Sequence, residues 1–392
     1  MGYLRRRRLP LGLEMGLLRV LLAVSVALSH LGGLFGYSMA GGHASVQMFY
    51  VISGFYMATI LTEKYDPRSD VALFYSNRSL RIYSVYLVAL VISLLAYGII
   101  FAAGKGGWLD YVRANIASVG TLGQLWLAFT SLFIIGQDTT LFMAVDGGGL
   151  AFTPDGPGGP VPVWVFMPIP QAWTISLELM FYVLVPFLIR NRTRTLVALI
   201  VVSLAARFIT YGAGYDNDPW LSRFFPFELA LFVMGMVARR IYDARIADIP
   251  RHVQIGVALA FFAATLLMRP VMEALIAADI TTDIVIWPYY ASGLIALPCL
   301  FALTRNNKTD SAIGNYSYPV YLIHWVVMQF YDTFAAGAGL PGIESPLRVL
   351  ICLAATFALS WLIIVSVEVP VDRYRQRRHA AQHAAVPGGA AG

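Results

Sequence analysis

Residues 82–102 read Ile82-Tyr-Ser-Val-Tyr-Leu-Val-Ala-Leu-Val-Ile-Ser-Leu-Leu-Ala-Tyr-Gly-Ile-Ile-Phe-Ala102, 21 positions without a charge. A helix of about 20 apolar residues rises about 30 Å, the depth of the hydrocarbon core of a bilayer. The stretch is too long for a buried strand and offers water no polar face. It therefore reads as a transmembrane helix, beginning near Leu80. Working outward from it, the same pattern recurs at about 16–36, 44–62, 173–189, 195–213, 225–239, 253–268, 284–304, 317–335 and 347–368. An eleventh stretch, Thr121 to Gly136, is shorter and less apolar.

Composition agrees with this reading. Of 392 residues, 58% are hydrophobic and only 13% charged, and the mean hydropathy is +0.67. Soluble proteins carry roughly 45–50% apolar and about 25% charged residues. There is too little polar surface here to cover a water-soluble body, which excludes a soluble enzyme, a disordered chain and a nucleic-acid-binding domain. The expected fold is an all-α integral membrane protein of about ten transmembrane helices, with the lipid bilayer as its solvent.

Orientation follows from Lys and Arg, which gather on the cytoplasmic side. With Arg5–Arg8 inside, ten spans also put Lys64–Arg81, Arg190–Arg194, Arg239–Arg251, Arg305–Lys308 and Arg373–Arg378 inside, with both termini cytoplasmic. The outside keeps Lys105, Arg113, Arg223, Arg269 and Arg348, while Arg207 falls within a span. An eleventh crossing at 121–136 would invert every later loop, so that stretch is expected to be a re-entrant or surface helix. The net charge of +6 and the pI near 9.3 are thereby explained by topology. No polyanion is required, and no nucleic acid is expected as a partner. Arg5–Arg8 followed by Leu17–Leu28 has the outline of a signal peptide, but no small-residue cleavage site follows. The span is expected to be retained.

The outer segment 137–172 lacks Lys and Arg and is rich in Gly and Pro, as in Asp146-Gly-Gly-Gly149 and Pro154-Asp-Gly-Pro-Gly-Gly-Pro160. Such composition argues against regular structure; a long loop of this kind is functional or mobile. Residues 1–378 are expected to form one transmembrane domain, and the Ala/Gly-rich 379–392 a disordered cytoplasmic tail. Cys299 and Cys352 sit singly in apolar stretches, which gives neither a disulfide framework nor a metal-ligand spacing.

Ionisable groups inside a bilayer are costly, and their default reading is functional. Arg19 and His30 are 11 positions apart, which returns them to within about 20° on one helix face, about 16 Å apart along the axis. Arg19 at the inner end could equally be a snorkelling anchor. His30 lies deeper, where the alternative to function is an imidazole satisfied by a neighbouring helix. In Phe74-Tyr-Ser-Asn-Arg-Ser-Leu-Arg-Ile-Tyr-Ser-Val-Tyr86, Arg78 and Arg81 share one helix face. Two guanidinium forks suit a phosphate, although paired arginines at an inner boundary are also what topology demands. Glu178, in Trp173-Thr-Ile-Ser-Leu-Glu-Leu-Met-Phe-Tyr182, enters a span just after the outer loop. It needs a partner, and an imidazole would orient it and favour its charge. His324 closes Tyr316-Ser-Tyr-Pro-Val-Tyr-Leu-Ile-His324, about two turns into a span, where a helix-packing hydrogen bond is the alternative reading. Glu368-Val-Pro370 reads as a helix terminator.

These residues together resemble acyltransferase family 3, bacterial membrane O-acyltransferases that use acyl-CoA to modify cell-envelope glycans. The basic residue, ten others and then His of that family's first span are Arg19 and His30. Gly41-Gly-His-Ala-Ser-Val-Gln-Met-Phe-Tyr-Val-Ile-Ser-Gly-Phe55 runs alongside its Gly-Gly and VDxFFVISGF segment. Its Arg-x-x-Arg matches Arg78 and Arg81; its WSLxxExxFY matches Trp173–Tyr182, with Thr174 for Ser, Ser176, and Glu178; its SYxxYLxH matches Ser317–His324. The motifs follow one another in the family's order over residues 19–324. One departure is Gln47, where the second motif commonly has an acid, so no charged role is assigned there.

The resemblance implies a reaction and a localisation in the bacterial inner membrane. An acyl-CoA, most commonly acetyl-CoA, serves as co-substrate, and its phosphates are bound by Arg78 and Arg81 with Arg19 at the inner mouth. His30 acts as general base on a hydroxyl of an envelope polysaccharide or glycoside entering under the 137–172 loop, and Glu178 orients or charge-balances the imidazole. Trp173, Ser176, Tyr321 and His324 support substrate or structure. No metal and no permanently bound cofactor are indicated. The partners implied are the acyl donor, the carbohydrate acceptor and the machinery of polysaccharide assembly. The rival reading is a multi-span transporter or flippase for an envelope glycan, which also uses intramembrane charges; no inverted repeat supports it.

Overall fold

The computed structural model describes residues 14–159 and 161–384. Arg5–Arg8 lie outside them. In chain order the elements are α1 (Gly16–His30), α2 (Gly42–Glu63), α3 (Val71–Ala102), α4 (Trp108–Asn115), α5 (Gly120–Phe133), the strands β1 (Met143–Asp146) and β2 (Gly149–Phe152), and then α6 (Trp173–Leu188), α7 (Thr193–Gly212), α8 (Phe225–Arg245) and α9 (Arg251–Ala277). The remainder is α10 (Asp283–Thr304), α11 (Lys308–Gly314), α12 (Ser317–Ala335), α13 (Pro346–Ile363) and α14 (Val369–Ala384).

Among the described residues, eight helical runs are long and apolar enough to cross a membrane: Gly42–Glu63, Val71–Ala102, Trp108–Phe133, Pro170–Leu188, Thr193–Gly212, Arg251–Ala277, Val285–Thr304 and Pro346–Gln382. The chain is a multi-pass membrane protein. Seven of the ten expected spans are among these eight, the other being Trp108–Phe133; of the remaining three, α1 is a shorter apolar helix of 15 residues, and α8 and α12 are of spanning length but carry too many polar groups to join the eight. Their polar residues Glu228, Arg239, Ser317 and His324 are buried, so these helices face protein rather than lipid.

Two expectations need correction, at the end of the first span and in the outer segment. The first span ends at His30, six residues early, because Gly32 and Gly33 both take left-handed φ (+83° and +80°) and the Gly33 N–H donates to the Leu28 carbonyl at 2.7 Å. This is a glycine-dependent helix stop. The stretch 121–136 belongs to a longer apolar run, 108–133, but that run breaks at Gly120 (φ +72°). The 14 residues of α5 rise about 21 Å, short of a bilayer core of about 30 Å. In the outer segment, β1 and β2 pair antiparallel from Met143↔Phe152 to Asp146↔Gly149. Gly147 and Gly148, both at positive φ, make the tight turn; an Asp-Gly pair between apolar residues is a hairpin signal. At the other end of the chain α14 continues to Ala384, and residues 385–392 of the expected tail lie outside the described residues. Alanine and glutamine at 380–382 favour helix.

The core is centred on α2 and α8, whose backbones touch. A Cβ on Gly54 would lie 1.8 Å from the Phe232 carbonyl oxygen, and one on Gly235 would lie 1.9 Å from that of Val51. Small residues allow this approach, which replaces a hydrophobic driving force that lipid cannot supply. By contrast, α7 shows Val201, Val202 and Ile209 outward, as a lipid-facing helix does.

Candidate active site

The helix stop after α1 leaves His30 as its last residue. The His30 ring stacks on His324 of α12, with centroids 5.3 Å apart and planes 25° from parallel. The neighbouring Trp325 meets it edge-on at 5.2 Å and 89°. His30 is exposed, whereas His324 is buried. Nδ1 of His324 lies 3.2 Å from the Val320 carbonyl oxygen. A carbonyl only accepts, so the proton sits on Nδ1 and Nε2 is left as the acceptor nitrogen. That Nε2 is buried and has no hydrogen-bond partner among the described residues.

A cavity of about 130 Å³ opens between α1, α2, α3, α6 and α12, and Arg19, Arg78, Arg81, Glu178, Thr174 and Tyr321 help to line it. Each arginine is held differently. Arg19 donates from Nη2 to Ser317 Oγ at 2.7 Å, and its Nη1 is buried without a partner among the described residues. Arg81 lies 3.6 Å from Glu368. Arg78 is buried, and its Nε finds no partner among the described residues. The charged neighbour acting most strongly on Arg78 is Arg375 of α14, itself paired with Asp372 and with a buried Nε that has no partner among the described residues. Lys64, in the adjoining loop, is lowered to about 8 by burial and then by the charges of Arg375 and Arg78. Burying cations is costly unless anions compensate, and the protein supplies too few here.

The arginines and the imidazoles are divided by a small polar wall. The hydroxyls of Thr174 and Tyr321 are 2.8 Å apart, and the Tyr321 hydroxyl donates to the Gln171 carbonyl at 2.9 Å. Gln171 in turn donates to the Leu322 carbonyl at 2.7 Å. The Tyr321 ring is 6.1 Å from that of His324, so one aromatic side chain borders both compartments.

The structure therefore brings Arg19, Arg78, Arg81, Glu178 and Tyr321 together, and separately pairs His30 with His324. It does not bring Glu178 to His30. The neighbours of Glu178 are the hydroxyls of Ser53 and Tyr182 and the charges of Arg78 and Arg19. Trp173 sits under Arg223, whose guanidinium carbon is 4.4 Å from the ring centroid. Ser176 points away from the cavity: it donates to Asp138 at 2.6 Å and accepts the Gly136 N–H at 3.0 Å, tying the outer segment to α6. Burial raises the Asp138 carboxyl above its usual range. Nor does Glu368 end a helix. The chain passes through one π turn, Ile364–Glu368, into α14, where Pro370 falls in the first turn and its missing N–H costs nothing.

Three groups were not recognised in the sequence. Arg375 looked like a topology signal. The unusual Gln47 has a carboxylate beside it after all: its Nε2 donates to both oxygens of Glu228 on α8, at 3.0 and 3.1 Å, and its Oε1 accepts from Tyr290 at 2.5 Å. Arg207 pairs with the same Glu228. The third group is Arg348 with Asp332. Asp332 lies eight residues after His324, just over two helical turns along α12, and a carboxylate inside a span was a visible signal.

A family model described as an acyltransferase domain, that of acyltransferase family 3, matches residues 13–365. Nodulation protein 10 of Rhizobium leguminosarum bv. viciae is 24% identical over 332 residues, which cover 80% of this chain and 82% of that protein. No solved structure matches. The matched segment stops short of α14.

Proposed function

The chain belongs to acyltransferase family 3 and is a multi-pass membrane acyltransferase; from that premise we propose that it moves an acyl group, acetyl first among candidates, from cytoplasmic acyl-CoA to a hydroxyl of an envelope polysaccharide or glycoside. Its setting is the bacterial inner membrane, with polysaccharide-assembly machinery as the source of acceptor. Family membership decides for an enzyme over a transporter.

The observation that carries the reading is the buried Arg78, whose Nε finds no partner among the described residues, in a cavity that ends one tyrosine away from a stacked histidine pair. Arg78 and Arg81, with Arg19 and Arg375 behind them, would take the phosphates of the donor through charge-assisted hydrogen bonds. The thioester arm would run past Glu178 and Tyr321 toward His30. There an imidazole nitrogen takes the hydroxyl proton, the oxygen bonds to the thioester carbonyl carbon, and the carbon–sulfur bond breaks. The CoA thiolate leaves and receives that proton from the imidazolium. His324 Nε2, held by the backbone bond at Nδ1, faces the same reaction as a second polar group, and Trp325 excludes water from one side. In this reading Glu178 balances the arginine charge instead of orienting His30. Thr174 and Tyr321 form the passage that the acyl end must cross, and Trp173 and Arg223 offer the acceptor an aromatic and charged lip.

The test is transfer of radiolabel from acetyl-CoA to envelope glycan by purified protein. His30→Ala should abolish transfer while the protein still inserts and still binds donor. Normal transfer by that variant would remove His30 from the mechanism.

A further inference from the structure

Arg348 and Asp332 lie on the outer halves of α13 and α12 and touch no part of the arginine-lined cavity. Arg348 is nevertheless buried. Its Nε and Nη2 donate to the two oxygens of Asp332 at 2.6 and 2.5 Å, a fork-to-fork pair. Its remaining nitrogen, Nη1, donates at 3.0 Å to the carbonyl oxygen of Leu31, the C-cap of α1. Helix C-termini end in carbonyls without intrahelical partners and carry a partial negative charge. The guanidinium thus meets α1 at the point where a cation is most favourable.

We infer that Arg348, fixed by Asp332, is a positioning residue that sets the end of α1 and with it the His30 imidazole. Leu31 follows His30 directly, so holding the Leu31 carbonyl fixes the backbone from which His30 projects. Asp332 shares α12 with His324 and Trp325, the two rings that flank His30. The clamp therefore ties the histidine's own backbone to the helix carrying its neighbours. Gly32 and Gly33 directly after Leu31 make that helix end adaptable, and an adaptable end needs an external hold. A buried ion pair is weak evidence for stability, since hydrophobic residues often serve as well; a three-way geometric tie is something hydrophobic residues cannot supply. Lysine cannot replace Arg348, because one ammonium cannot make two parallel bonds to Asp332 and a third to Leu31. Misplacing a reacting group by about 1 Å can cost about 10²-fold in rate.

This inference rests on His30 being the base. The experiment measures kcat and KM for acetyl-CoA, with an envelope-glycan extract as acceptor, in purified Arg348→Ala, Arg348→Lys, Asp332→Asn and His30→Ala proteins, beside their thermal unfolding. The expected result is a fall in kcat of about 10²-fold for Arg348→Ala and Asp332→Asn, with the KM for acetyl-CoA unchanged, and only partial recovery in Arg348→Lys. If Arg348→Ala does not fold, Asp332→Asn and Arg348→Lys, which keep side-chain volume, carry the test. A dead His30→Ala enzyme beside clamp variants of normal kcat overturns the clamp alone. Clamp variants whose losses follow their unfolding temperature, or fall equally on KM, also overturn it. A His30→Ala enzyme as active as the wild type overturns the base reading and the clamp with it.

Discussion

The inner chamber and the outer imidazole pair are built on opposite terms. In the chamber, nitrogens of Arg19 and Arg78, with one of Arg375 behind them, are buried without partners among the described residues, so the protein bears an uncompensated positive field there. At the outer pair, the one orphaned atom among the described residues is a ring nitrogen, His324 Nε2, and the rings and backbone around it are already fixed. His30 is held between His324 and Trp325, and its backbone is bound through Leu31. The difference teaches which region waits for a ligand. An unpaired buried cation costs several kcal/mol until an anion arrives, so the chamber is a binding site by electrostatics. Two stacked imidazoles with an open nitrogen suit proton transfer rather than anion binding.

This contrast can be broken at either end. The largest effect should come from His30→Ala: a base contributes about 10²–10⁴-fold, so transfer should fall by at least that range while donor affinity holds. A fall in donor affinity instead would erase the division between the regions. Next comes the double variant Arg78→Ala with Arg81→Ala. Each charge-assisted hydrogen bond is worth about 1.5–3 kcal/mol, so the KM for acetyl-CoA should rise at least tenfold. Acetyl-pantetheine, which lacks the nucleotide phosphates, should be used as before. Equal losses for both donors would make the arginines structural. Arg375→Ala should act in the same direction by a smaller factor, about threefold if it strengthens only one contact of about 0.7 kcal/mol. No change would confine the donor site to the segment matched by the family. The smallest effect concerns pH. Lys64, lowered to about 8 by burial, is charged below that pH and attracts phosphate, and it becomes neutral above it. The KM for acetyl-CoA should therefore rise as pH passes 8, and Lys64→Arg should flatten that rise. An unchanged slope in Lys64→Arg would separate Lys64 from the donor.

The sequence revealed the chamber better than the pair. Arg19, Arg78, Arg81 and Glu178 were each legible because a charge at membrane depth stands out in an apolar chain, and they do meet. The resemblance already grouped the three arginines at the inner mouth, but the place of Glu178 beside them was not legible. Glu178 looked like a partner for an imidazole, yet the tilt and phase of α6 turn it toward Ser53 and the arginines, and neither quantity can be read from spacing. The end of α1 could have been read from Gly32-Gly33, and the outer hairpin from Asp146-Gly147. Arg348 escaped because a basic residue near an outer boundary reads as one more topology charge, although a carboxylate at 332 was there to pair with it. Gln47 seemed to lose a charge that α8 returns from far along the chain through Glu228. Such long-range replacement leaves no local trace.

The central claim is that donor and acceptor reach His30 from opposite sides of the membrane. Sealed vesicles of each orientation, given membrane-impermeant radiolabelled acetyl-CoA from outside, test it most directly. Inside-out vesicles, which expose the arginine mouth, should label glycan trapped in their lumen, and right-side-out vesicles should leave the donor unused. Equal labelling by right-side-out vesicles would contradict the account.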